Sequence, residues 1–206
     1  MQKEKGEWKL KKRLEGMNDS AENFEVESDN VIWLHNNDKG LIRFKLDASN
    51  FRLTQTKFYG KEKGLPSNKN IYVNKVNGNI YFTTLKGIYR YNQAKDKMEI
   101  CSEMNNLLNG EKSYIKLYQY ENHVLSLSNS GVNIASLDTY KKGGVDNFYS
   151  IEHPSIELVK GFEKLIPLSA SQIIIPNDYG FALLKSPSKH LPSDHTSVHI
   201  RSVYLT

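Results

Sequence analysis

A chain of 206 residues, 38% hydrophobic and 25% charged with a net charge of +5, has the length of one or two ordinary domains. One cysteine, Cys101, supplies neither a disulfide framework nor a Cys-His metal cluster, and it reads as a small buried hydrophobe. Residues 1–30 lack the apolar core of a signal peptide, and the longest apolar run, residues 173–176, is far too short to span a bilayer.

Twelve Tyr and eight Phe favour strands, and nothing suggests a long helix. The chain opens on a basic run: Lys3, Lys5, Lys9, Lys11, Lys12 and Arg13, partly offset by Glu4 and Glu7. Without a recognition-helix pattern or RNP-type motif this run predicts no direct nucleic-acid binding; it reads as a solvated strand edge, and residues 8–14 read as one strand. A first strand group follows at about 23–26, 31–35, 41–46 and 51–59. The second is predicted at 70–75, 80–84, 88–91 and 97–102, with Asn77-Gly78 as a type I′ hairpin signal. Residues 102–108 read as a loop or a single helical turn. The third group falls at 114–120, 123–128, 132–137 and 147–151; the fourth at 164–168, 172–175 and 181–185, with no clear outer strand.

These groups are copies of one unit. Gly40, Gly87, Gly131 and Gly180 lie 47, 44 and 49 residues apart, each between two short apolar-aromatic strands. Strand content with such a period is the pattern of propeller blades. The fold class is therefore all-β, with about four four-stranded antiparallel blades of an incomplete β-propeller across residues 1–188, and residues 8–14 as the last strand of a preceding blade. Closed propellers usually need more blades, so the chain is expected to be part of a longer protein or to be completed by another chain. Residues 189–197 read as a Ser-, Pro- and His-rich linker, and 198–206 alternate like the first strand of a following domain.

Gly64-Leu65-Pro66-Ser67-Asn68, then Asn79-Ile80-Tyr81-Phe82-Thr83-Thr84 and Gly87-Ile88-Tyr89-Arg90-Tyr91, resembles the two-component regulator propeller repeat. Residues 30–47 are a second match, with Ile32-Trp33 and Gly40-Leu41-Ile42-Arg43-Phe44. The other two copies keep the Gly and apolar positions but lose the Arg and the aromatics; the resemblance covers about residues 20–185. Residues 198–205 resemble the opening of the triple-tyrosine β-sandwich that follows the last propeller in this family.

The resemblance implies a non-enzymatic, ligand-sensing region of a bacterial membrane regulator of signal transduction and transcription. In that family periplasmic propellers feed a transmembrane helix and a cytoplasmic histidine kinase or DNA-binding output, and many members respond to oligosaccharides. It implies no cofactor. Its implied partners are an oligosaccharide ligand, the remaining blades and output domain of the same or a homologous polypeptide, and a second receptor in a dimer. No ligand residue is fixed by the family motif. A protein-binding scaffold propeller is the alternative, and a propeller polysaccharide lyase or glycosidase a more distant one, which needs convergent carboxylates or a His-metal set.

The residues singled out are the repeat positions Gly40, Gly87, Gly131, Gly180, Trp33, Tyr81, Arg43 and Arg90; none is assigned a catalytic or metal role. Trp33, Tyr81, Tyr89 and Tyr91 have the chemistry to stack on sugar rings, but aromatics at such positions more often fill the space between blades. Arg43 and Arg90 are expected over a neighbouring aromatic or paired across blades. His190, His195 and His199 read as solvated linker residues. Asn37-Asp38-Lys39-Gly40 and Asp178-Tyr179-Gly180 lack the further carboxylates of calcium loops and read as turns. Ser67 and Ser130 have no recognisable base, and Gly143-Gly144 is an isolated loop pair.

Overall fold

The structure is a computed structural model that describes residues 2–10, 14–17, 19–47, 49–108, 110, 113–128, 131–138, 148–152, 158, 163–169 and 172–185. It divides into two compact units, Met1–Cys101 and Ser102–Thr206.

The first unit opens on a hairpin, β1 (Gln2–Glu4) with β2 (Glu7–Lys9). The strand predicted over 8–14 is thus shorter and pairs with the residues before it. The cause is Lys5-Gly6, both at positive φ (49° and 88°), which close a two-residue turn. Two antiparallel meanders follow. The first is β3 (Asn23–Ser28), β4 (Val31–Asn36), β5 (Gly40–Asp47) and β6 (Arg52–Tyr59). The second is β7 (Tyr72–Val76), β8 (Asn79–Thr84), β9 (Gly87–Asn92) and β10 (Lys97–Ile100). Their first strands are laced together: the Asn23 side chain accepts the Val73 N–H at 2.7 Å and donates to the Ile71 carbonyl at 3.2 Å, and Lys75 Nζ donates to the Val26 carbonyl at 2.7 Å.

The second unit begins with a helix, α1 (Ser102–Leu107), where the sequence suggested at most one turn. Two adjacent Asn residues weaken the helical signal, while the spacing of buried Met104, Leu107 and Leu108 puts all three on one face. A third meander comprises β11 (Lys116–Tyr120), β12 (His123–Ser128), β13 (Gly131–Ser136) and β14 (Phe148–Glu152). The fourth sheet has three strands, β15 (Ile166–Ser169), β16 (Gln172–Asn177) and β17 (Gly180–Lys185), and no fourth among the described residues. Its Leu165, Ile173, Ile175 and Ala182 form one core with Leu125, Leu127, Val132 and Ile134 of the third sheet. The predicted linker 189–197 and strand 198–206, with His190, His195 and His199, lie outside the described residues, as do Ser130 and Gly143-Gly144.

One turn design recurs in all four sheets. The second strand ends on a residue paired with the glycine that starts the third: Asn36 with Gly40, Thr84 with Gly87, Ser128 with Gly131, Asn177 with Gly180. All four glycines sit at positive φ, where side chains with a Cβ are strained. The polar partner ties the turn down. Asn36 Oδ1 accepts the Asp38 and Lys39 N–H groups, both at 3.0 Å; Thr84 Oγ1 accepts the Lys86 N–H at 3.0 Å and donates to the Gly87 carbonyl at 2.8 Å. The Ser128 hydroxyl donates to the Gly131 carbonyl at 3.3 Å, and Asn177 Oδ1 accepts the Tyr179 N–H at 3.0 Å. These are Asx- and ST-type turns. The two fragments resembling calcium loops are the first and last of them.

A second shared feature is the entry to each meander of the first unit. Gly64 (φ +98°) turns the chain against the Met98 backbone of β10, and Leu65 is buried among Trp33, Phe82 and Met98. Gly16 (φ +89°) lies beside Leu53 of β6, and Met17 packs against Leu34, Ile42 and Phe44. Gly16-Met17 is therefore the counterpart of Gly64-Leu65, without the Pro that makes the later copy recognisable in sequence.

Candidate functional site

Strand pairing lines up Glu25, Trp33, Arg43 and Lys57 across the first sheet, one residue on each strand. Directly opposed residues share a face, so this row faces the second sheet. Trp33 is wholly buried there, with Tyr59, Phe82 and Tyr91 at ring-centroid distances of 5.1, 4.9 and 5.2 Å in tilted or edge-on contact. Tyr59 meets Tyr91 edge-on at 5.4 Å. Such geometries suit the ring quadrupole, edge against face.

Charged groups close the cluster on two sides. Glu27 Oε2 accepts the Trp33 indole N–H at 3.0 Å and the Arg43 guanidinium at 2.9 Å. Arg43 also lies 5.5 Å from the Trp33 ring centroid and 5.4 Å from that of Tyr91, placing its charge over both π faces. On the other side, the Asp96 carboxylate accepts both Tyr59 and Tyr91 hydroxyls at 2.8 Å, and Lys57 and Lys63 at 3.2 Å. The Tyr91 hydroxyl, then that of Tyr59, and the lysines hold the Asp96 carboxyl well below the usual carboxylate range. Burial first, then the bonds to Tyr91 and Asp96, push the Tyr59 phenol far above its ordinary value, so it stays a donor. The Asp96 carboxylate is engaged by donors that favour its charged form, and the bonds made by Glu27 and Asp96 hold the packed rings in place.

The signs give a testable pH dependence. A depressed carboxyl stabilises the fold fully above its unfolded pKa of about 3.9, and loses that contribution as pH falls toward its lower folded value. Asp96→Asn is expected to lower the melting temperature at neutral pH. The gap from wild type should stay constant down to about pH 4 and narrow in stronger acid. Thermal unfolding of both proteins along a pH series checks this; a gap that does not change with acid would assign the loss to shape alone.

Of the predicted repeat residues, the structure brings Trp33 and Arg43 together, and Gly40 pairs at the turn beyond them. Tyr81 holds the place of Trp33 one sheet on but lies outside this cluster. Arg90 holds the place of Arg43, is exposed, and lies opposite Glu99 in register. Gly87, Gly131 and Gly180 sit at the corresponding turns of their own sheets. Tyr89 and Tyr91 pack half-buried against the Trp33 core, and Trp33 has no face open to a sugar ring. Sequence reasoning missed Glu27, Tyr59, Lys57, Lys63 and Asp96. Register arithmetic would have placed Lys57 opposite Arg43; Asp96 lies in the turn five residues after Tyr91, and it is its contacts with Tyr59 and Lys57 that arise through packing of the two sheets. Ser67 Oγ accepts the Lys69 N–H at 3.0 Å, a local turn bond. Among the described residues, no three His, Cys, Asp or Glu side chains converge as metal ligands, and no helix is long and apolar enough to cross a membrane.

No protein-family model matches the chain, and no curated protein matches it. Solved structures do. The extracellular domain of BT3049 from B. thetaiotaomicron, described as a hybrid two component system, aligns at TM-score 0.52 and 14% identity over 78% of this chain and 21% of its own. The extracellular domain of BT4673 from the same organism, described as a one component system, aligns at TM-score 0.52 and 16% identity, covering 84% and 23%. The WD40 β-propeller domain of Doa1 aligns at TM-score 0.51 and 11% identity, covering 84% and 54%. The chain thus spans between a fifth and a quarter of the two extracellular domains, and about half of the Doa1 propeller. At these identities the likeness shows the fold: the chain is all-β, built of antiparallel sheets of the β-propeller kind.

Proposed function

We propose that this chain is part of the ligand-sensing propeller region of a bacterial membrane regulator of signal transduction and transcription, and that the ligand is an oligosaccharide. The observation that carries the reading is the coincidence of two likenesses. The Gly64–Asn68 and Gly87–Tyr91 motifs resemble the two-component regulator propeller repeat, and the sheets align with extracellular domains described as one- and two-component systems. The Trp33 cluster supports a non-enzymatic role, since its aromatic and charged groups are spent on joining two sheets. In this reading the segment is periplasmic, needs no cofactor, touches no nucleic acid itself, and works with further blades and an output domain of the same or a homologous polypeptide in a dimeric receptor.

Thermal unfolding of the intact sensor region against a panel of oligosaccharides tests the proposal. A ligand that binds only the folded state stabilises it by about 2.7 kcal/mol at a hundredfold excess over its Kd. One glycan class is expected to raise the melting temperature while its unrelated neighbours leave it unchanged. A flat response across a saturating panel would remove the oligosaccharide from the proposal.

A further inference from the structure

We propose that His35 is a proton-operated clasp: its doubly protonated ring holds the Glu22 side chain on one side and the Asn68 carbonyl on the other, and loss of one proton releases Glu22. The inference goes beyond the sensing role and is independent of the ligand.

The ring sits where two entry segments meet. Strand pairing sets Asn23, His35, Leu41 and Tyr59 in one row across the first sheet, on the face that carries Trp33. Two members of the row reach the backbone that leads into the second sheet. Asn23 bonds to Ile71 and Val73, and His35 Nε2 lies 3.0 Å from the Asn68 carbonyl oxygen. The segment that leads into the first sheet lies against the same histidine. Its Glu22 N–H donates to the His35 carbonyl at 3.0 Å, and Glu22 Oε2 lies 3.4 Å from His35 Nδ1. This segment is also held by the Asn36 amide, which donates to the Ser20 carbonyl at 3.0 Å, and by the Asp19–Lys39 ion pair.

Both groups that face the ring nitrogens are acceptors. A neutral imidazole has one N–H and one bare nitrogen. With the proton on Nε2, the ring donates to Asn68 and its Nδ1 lone pair faces a carboxylate. With the proton on Nδ1, the ring points its N–H at Glu22 and its Nε2 lone pair faces a carbonyl. Only the imidazolium donates on both sides. His35 is 1% exposed, so the ring has no water to turn to. Nδ1 has no hydrogen-bond partner among the described residues; Glu22, within ion-pair reach, becomes one when Nδ1 carries a proton. The Glu22 side chain is 48% exposed, so it is the group that leaves for solvent when the proton goes.

Among the described residues, Glu22 is the one charged side chain within ion-pair distance of His35. The other charged groups on this face and its loops are engaged elsewhere or face water. Lys39 pairs with Asp19, Arg43 with Glu27, and Lys57 with Asp96, which also accepts the Tyr59 hydroxyl. Glu62 accepts the Gly60 N–H, and Asp38, Lys61 and Lys69 are exposed. The charge on the ring therefore decides how firmly the 19–22 segment is tied to β4.

Thermal unfolding of wild type and Glu22→Gln from about pH 5.5 to 8, the range in which imidazole changes charge, tests this. The window lies above the acid range in which Asp96 acts, and all six histidines are common to both proteins. The clasp contributes stability at the acid end and loses it as pH rises. A glutamine amide offers no charge to the imidazolium, but its N–H can donate to a bare Nδ1. The variant is expected to melt about 2–4 °C below wild type at the acid end, and level with it or above it at the basic end. Nitrogen NMR of the wild-type ring is the second readout: both nitrogens protonated at the acid end, Nε2 alone at the basic end. A melting gap that is the same at both ends, or a ring that keeps one protonation state throughout, would overturn the proposal. No ligand enters either measurement, so this inference and the oligosaccharide reading can fail separately.

Discussion

Trp33→Ala is expected to cost the first unit about 3–5 kcal/mol, the range for truncating a buried tryptophan. The indole is wholly buried, and three aromatic rings and Leu65 close around it. Removing it opens a cavity between two sheets, takes the indole donor from Glu27 and leaves the Arg43 guanidinium without one of its two rings. Trp33→Phe keeps ring packing and loses only the bonded edge, so its cost should be a minor part of the alanine value. Urea unfolding followed by circular dichroism measures both. An alanine variant that unfolds within 1 kcal/mol of wild type, a value small beside about 3 kcal/mol for such a truncation, would mean that the sheets are not joined through this residue.

The second large effect is expected at Gly64. Its φ of +98° is one that residues with a Cβ rarely adopt, and a Cβ there would run into the Met98 carbonyl oxygen. The conformation alone costs about 1–3 kcal/mol for a non-glycine residue. The overlap adds to it, because the obstacle is backbone of β10 rather than a flexible side chain. Relief requires the loop to move, which draws Leu65 from its buried place beside Trp33 and Phe82. Gly64→Ala should therefore destabilise more than Gly78→Ala, where a Cβ would meet open space in a turn at φ +76°. Equal midpoints for the two variants in urea would show that only the backbone conformation matters, and that the Leu65 loop is free to shift.

Much of the architecture is legible in the sequence because its main signals are local. The four glycines mark turns that need positive φ, and strand alternation on either side sets which residues face together, so the sheets fall close to where the spacing puts them. The short helix escapes because two asparagines mask a three-residue apolar face. The opening hairpin escapes because its turn, Lys5-Gly6, sits in a charged run that reads as one extended edge. Gly16-Met17 escapes because only the later copy carries the Pro-Ser-Asn continuation. The Trp33 cluster is half legible: Trp33 and Arg43 follow from the repeat, and Asp96 is only five residues from Tyr91 across a turn of the same sheet, but Asp96 reaches Tyr59 and Lys57 only once two sheets have packed, and nothing local records that meeting.

The recurrence of one sheet unit, stabilised the same way four times, is most directly tested by amide hydrogen exchange resolved along the chain. Slow exchange is expected on the second strand of every sheet, β4, β8, β12 and β16, since each has paired neighbours on both sides, with faster exchange in the turns at Gly40, Gly87, Gly131 and Gly180. Absence of protection from any one of those four strands, or protection as strong in the turns as in the strands, would contradict it.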